Sequence, residues 1–146
     1  MDFNLSSEQK KLVASFRAFG TEVFTPDHVS QWCKDQGLPD DVMKRFVDTY
    51  YKFADKESTS AAGHSLLDQA LIIEELSRCA GATLPFQNDL FNLQIVDALS
   101  EAGNVDSAVA DYRETGRLMF ALAISEPDGG SDVMSMKTST RTLDGK

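Results

Sequence analysis

The sequence predicts a mainly α-helical fold: an N-terminal helical bundle over residues 1–116, then the first strands of a truncated β-domain over residues 117–146. Apolar residues recur at spacings of three and four through the longer part, as a helix burying one face requires. From Arg117 the pattern changes to a nine-residue apolar run, RLMFALAIS, and then to the alternating KTSTRT. Between those runs lies ISEPDGGSD, rich in turn residues.

Ser6 followed by Gln9 has the form of a capping box, and Leu12, Val13, Phe16, Phe19 and Val23 continue at helical spacing as far as Pro26. DHVSQWCKDQGLP reads as a loop or a short helical turn. A second helix is expected after Pro39, with Asp40 and Asp41 at its positive end and Val42, Met43, Phe46, Val47 and Tyr50 on one side. ADKESTSAAGHS, Ala54 to Ser65, is small and polar and suits a flexible connection. From Leu66 to Leu76 the chain is apolar on nearly every side, which predicts a helix at the centre of the bundle, ended by Gly81. Leu84-Pro85 opens a further helix bearing Phe86, Leu90, Leu93, Val96 and Leu99. Asp106 can cap a short one through Val109 and Tyr112 to Gly116. Asp144-Gly145 is a hairpin turn signal with no returning strand after it, so the sequence is expected to be a fragment or one half of a composite protein.

The net charge of −9 opposes binding to nucleic acid or anionic membranes, both of which select clustered Lys and Arg. Cys33 and Cys79 stand far apart with no CxxC or His pair, so reduced thiols and no metal site are expected. The opening MDFNLSSEQKK lacks the pattern of a secretory signal and no apolar run is long enough to span a bilayer, which together suggest the cytoplasm.

ISEPDGGSD can be read in two ways. Asp128-Gly129 can simply satisfy a tight turn. Alternatively, Gly129 and Gly130 adopt positive φ and let main-chain N–H groups approach a ligand, with Ser125 and Ser131 adding hydroxyls. Glu126, Asp128 and Asp132 would repel a bare phosphate, so a neutral, polar ring system suits the second reading better.

LAISEPDGGSD resembles the signature of the acyl-CoA dehydrogenase family: a short apolar run, Thr or Ser, Glu-Pro, small residues rich in glycine, then Ser-Asp. MDFNLSSEQKKLV is similar to that family's opening helix, LIIEELSRCAGA to its central helix, TGRLMFALAISEP to its approach to the flavin strand, and KTSTRTLDGK to the strand before a hairpin. Asp128 departs from a usually small position, and the segment from Val47 to Ser65 replaces a Gly-rich stretch near the family's acyl pocket. The resemblance implies FAD as cofactor, with the backbone of Leu122, Ala123, Ile124 and Ser125 lining the ring and Gly130 admitting it. It also implies the Ser125 hydroxyl near flavin N5, and Ser131 at the join between cofactor and the thioester arm of the substrate. The activity implied is α,β-dehydrogenation of an acyl-CoA thioester by hydride transfer to flavin N5, or the reverse reduction of an enoyl-CoA. The implied partners are an electron-transfer flavoprotein and further copies of the chain in a homo-oligomer.

The family's catalytic base lies in a C-terminal domain, so no residue here is assigned catalysis and this chain alone is expected to be inactive. Glu74 and Glu75 point about 100° apart on a helix and cannot share a site; one is expected in a salt bridge and the other in solvent. His28 and His64 read as solvated, and Trp32, Tyr50 and Tyr51 as core. A second functional class stays open: a non-catalytic partner subunit or assembly module of the same fold.

Overall fold

The computed structural model describes residues 4–54, 60–99, 106–117 and 120–141. Six helices follow one another: α1 (Ser7–Val23), α2 (Pro26–Asp35), α3 (Asp40–Lys52), α4 (Leu66–Ala80), α5 (Phe86–Leu99) and α6 (Asp106–Thr115), and only a 3₁₀ turn, Val133–Ser135, comes after them among the described residues.

Local chemistry fixes the helix ends. The Ser6 hydroxyl accepts from the Gln9 amide at 3.1 Å while the Gln9 side chain accepts from the Ser6 amide at 3.0 Å, closing the capping box. Ser65 caps α4 in the same sense, and Gly81 ends it in the left-handed region at φ 66°. The segment expected to be a loop before Pro39 is instead a full helix, α2. Thr25 caps it and Pro26 stands at its first turn, where a missing N–H costs nothing. It is only ten residues long and its apolar residues Val29 and Trp32, both partly buried, span a single turn, too short a repeat to read as a helix from the sequence.

The core is aromatic. Phe46 stacks on Phe86 with ring centroids 4.0 Å apart and meets Phe16 at 6.1 Å, joining α3, α5 and α1. Around them Tyr50, Ile72, Leu76, Leu90, Leu93 and Tyr112 are almost wholly buried. The helix α1 lies along α4, and α6 lies against α3. Gly20 permits the first contact, since a Cβ there would sit 2.9 Å from Cys79 Cβ and Sγ. Gly116 permits the second: its φ is 70°, and a Cβ would fall 2.5 Å from Lys44 Cα. Cys79 is half-buried and Cys33 exposed, both as free thiols.

Four further expectations change. The apolar helix α4 is not enclosed: Ile72 and Leu76 face inward, while Leu66 and Leu67 are 70% and 56% exposed. Residues 60–65 are not a loose connection. Asp97 on α5 accepts from the Ser60 hydroxyl and the Ala61 and Ala62 amides, and the Tyr50 and Tyr51 hydroxyls donate to the carbonyls of Ala62 and Ala61 at 2.6 and 2.7 Å. His64, expected in solvent, is half-buried, its Nε2 2.9 Å from the Tyr50 carbonyl oxygen. No strand ladder forms among the described residues: Ala121 to Ile124 and Lys137 to Arg141 belong to no regular element, because no neighbouring strand is there to pair with them. Leu118, Met119 and the Asp144-Gly145 turn lie outside the described residues.

Candidate functional site

The loop from Ile124 to Asp132 closes on itself. The Glu126 amide donates to the Gly129 carbonyl at 2.7 Å and the Gly129 amide donates back to Glu126 at 3.1 Å, an isolated antiparallel bridge around Pro127-Asp128. Neither Gly129 nor Gly130 has positive φ; among the described residues the glycines in that region are Gly63, Gly81 and Gly116. A Cβ on Gly130 would lie in ordinary van der Waals contact, 3.6 Å from Ser125 Oγ, and one on Gly129 3.7 Å from Ser135 Oγ, so a larger side chain at Gly130 would cover that hydroxyl. Gly130 and Ser125 are thus brought together, whereas Ser131 stands exposed at the far side of the bend.

Glu126 holds the loop to the following segment. Its carboxylate accepts from the Lys137 amide at 2.9 Å and from the Thr138 amide at 2.6 Å, and the Thr138 hydroxyl donates to it as well. These bonds, led by that from Thr138, lower its pKa. Asp128 lies 3.8 Å from Lys137 Nζ. Two of the three carboxylates that seemed to crowd the loop therefore have partners in the segment that follows it. Alternation in KTSTRT gives no sign of this, because the partners are two consecutive main-chain amides rather than side chains of opposite charge.

The approach to the loop is pinned further back. Asn92 on α5, buried, donates through Nδ2 to the Phe120 carbonyl at 2.9 Å, and the Phe120 ring meets Tyr112 edge-on at 5.6 Å. Beyond that tether Leu122, Ala123 and Ser125 are exposed and Ile124 is half-buried. The N–H groups from Leu122 to Ser125 and the Ser125 hydroxyl make no hydrogen bond within the described residues. The donor set is accordingly an edge of free main-chain N–H groups and one small alcohol, without a free cation, as the rim of a neutral ring with carbonyl and nitrogen acceptors requires. A pyrophosphate would find no counter-charge in it.

Elsewhere the ionisable residues are structural. Arg17 holds Glu75 through two bonds of 2.7 and 3.1 Å, Arg78 adds a third, and Glu74 is exposed, as expected for the pair. The Arg17 hydrogen bonds, reinforced by Arg78, bring the Glu75 carboxyl down to about 2. Asp89 is the opposite case. It is fully buried on α5, neither oxygen completes a hydrogen bond among the described residues, and burial pushes it up to about 6 despite the nearby Tyr112 hydroxyl. Asp89 and Asn92 were legible as polar residues on the apolar stripe of α5, although periodicity alone does not tell which partner each meets.

Residues 6–107 match the family model described as acyl-CoA dehydrogenase, N-terminal domain. The chain belongs to the acyl-CoA dehydrogenase family. The probable acyl-CoA dehydrogenase YdiO of Escherichia coli strain K12 is 28% identical over 151 residues, an alignment covering 100% of this chain and 38% of that protein. The protein of the same name from Escherichia coli O157:H7 gives the same figures. The crystal structure of an acyl-CoA dehydrogenase from Slackia heliotrinireducens DSM 20476 superposes with a TM-score of 0.69 at 42% identity, over 88% of this chain and 34% of that one. The chain therefore spans 38% of the length of the curated relatives it matches. The family model ends before the loop, while the alignments with the curated relatives take it in.

Proposed function

We propose that residues 1–116 form the helical domain, and residues 117–146 the start of the flavin-facing β-domain, of an FAD-dependent enzyme that forms or removes the α,β double bond of an acyl-CoA thioester. The free N–H edge from Leu122 to Ser125, rigidly approached from Phe120 and followed by a bend closed on itself, is the observation that carries this reading. The relatives named as acyl-CoA dehydrogenases support the reaction class.

When bound, FAD supplies the two-electron acceptor. This chain's part is to hold the ring's edge. N–H groups of Leu122, Ala123, Ile124 and Ser125 donate to its polar rim, and the Ser125 hydroxyl adds a donor that carries no charge of its own. Gly130 keeps the space before that hydroxyl open, and Ser131 lies where the substrate's thioester arm passes the cofactor. Fixed donors of this kind stabilise charge without reorganising, which is their advantage over water. The catalytic base is assigned to no residue of this chain. An electron-transfer flavoprotein as redox partner, a homo-oligomeric assembly and a cytoplasmic location complete the reading. No described helix is long and apolar enough to cross a membrane.

The test is the visible spectrum of the protein expressed from its complete reading frame. A bound-flavin spectrum is expected, and Ser125→Ala with Gly130→Val should abolish it while the helical circular dichroism is kept. A colourless wild-type protein that ignores added FAD rejects the proposal. Apolar side chains left exposed beyond the bend, among them Met134 at 95%, favour a second reading as an assembly module. Under that reading the double substitution changes nothing.

A further inference from the structure

We infer that Asn92 is a positioning residue for the candidate flavin edge, acting through the Phe120 carbonyl; the inference rests on the functional reading above. Asn92 is buried on α5, and its amide donates the hydrogen bond that ties residues 120–125 to the helical bundle among the described residues. The tether falls two residues before Leu122, where the free N–H groups begin. Phe120 is fixed a second time by its ring, which packs against the fully buried Tyr112 of α6. A carbonyl gripped by α5 and a ring gripped by α6 define both the position and the twist of the peptide entering the edge. Past this point no hydrogen bond among the described residues holds residues 121–125 until the Glu126 bridge. The edge is thus suspended between two anchors, and Asn92 is the one supplied by the helices. Geometry of this kind is sensitive to small displacements, because donor–acceptor distances must stay within a few tenths of an ångström of about 2.9 Å.

The peptide bond that Asn92 grips is also the one that chymotrypsin would cleave after Phe120. Asn92→Leu keeps the size of the side chain and removes the donor. In the protein expressed from its complete reading frame, cleavage after Phe120 should accelerate about ten-fold, as loss of one buried hydrogen bond implies. The dissociation constant for FAD should rise by a similar factor with a changed visible spectrum, while the melting temperature of the apoprotein moves little. If Asn92→Leu does not fold, Asn92→Asp at pH 8, similar in shape and without a donor when ionised, carries the same comparison. Unchanged cleavage in a folded variant overturns the tether. Faster cleavage with unchanged FAD affinity and spectrum overturns the positioning role. A wild-type protein that takes up no FAD rejects the functional reading instead, while the cleavage comparison still decides whether Asn92 holds the segment.

Discussion

Glu75 and Asp89 are both buried acids, and their surroundings send them in opposite directions. Glu75 sits between Arg17 and Arg78, which hold its carboxyl at about 2 in the folded state. A depressed carboxyl pKa contributes stability above the unfolded value, and that contribution fades as pH falls from about 4.5 toward 2. Glu75→Gln should cost roughly 1–3 kcal/mol at pH 7, the worth of charge-assisted bonds to half-exposed arginines, read by urea denaturation. Asp89 has its folded pKa raised to about 6 by burial, with the Tyr112 hydroxyl beside it and Tyr51 within electrostatic reach. The sign therefore reverses. The protonated form is the one the fold favours, so stability is full below about pH 4 and falls as pH rises through 6. Asp89→Asn should flatten that decline, which amounts to about 3 kcal/mol at most between pH 4 and 8. Thermal melts across that range would show it; a wild-type curve that does not fall above pH 5 would contradict the burial argument.

The helices meet where small residues let them. At the crossing of α1 and α4, Gly20 leaves space for Cys79 that a single methyl would fill. An exposed helical Gly→Ala change usually gains up to about 1 kcal/mol in backbone entropy, whereas an added methyl in a tight contact costs about 1–3 kcal/mol. The second term wins here. Gly20→Ala is expected to destabilise the bundle by about 1–2 kcal/mol in urea melts, and a stabilised variant would mean that α1 and α4 stand further apart than described. Most helices could be read from the sequence because their signals are local: the Ser6 and Gln9 box, Ser65 and Gly81, Pro85, and the apolar spacing of α3 and α5. The helix α2 could not, because it is only ten residues long and its apolar residues Val29 and Trp32 span a single turn. Nor could the ordered path of residues 60–65, since small polar residues look alike whether solvated or gathered around a distant carboxylate such as Asp97.

For the molecule as a whole, the edge from Leu122 to Ser125 faces outward and gives a ring one wall only. The 146-residue chain by itself should bind FAD poorly, because the groups that would enclose the pyrophosphate and adenine are not among its described residues. Gel filtration with added FAD would decide the matter: stoichiometric flavin travelling with the isolated chain would mean that the chain or its oligomer completes the pocket. Five of the six helices, the family signature around Ser125 and the turn at Pro127 to Gly130 were determined by sequence, since capping, period and turn chemistry act over a few residues. Only the tertiary structure decided which buried polar groups meet. That Asn92 reaches Phe120, that Glu126 gathers the amides of Lys137 and Thr138, and that Asp89 is left without a partner depend on contacts between residues distant in the chain, whose formation is governed by packing rather than by local preference.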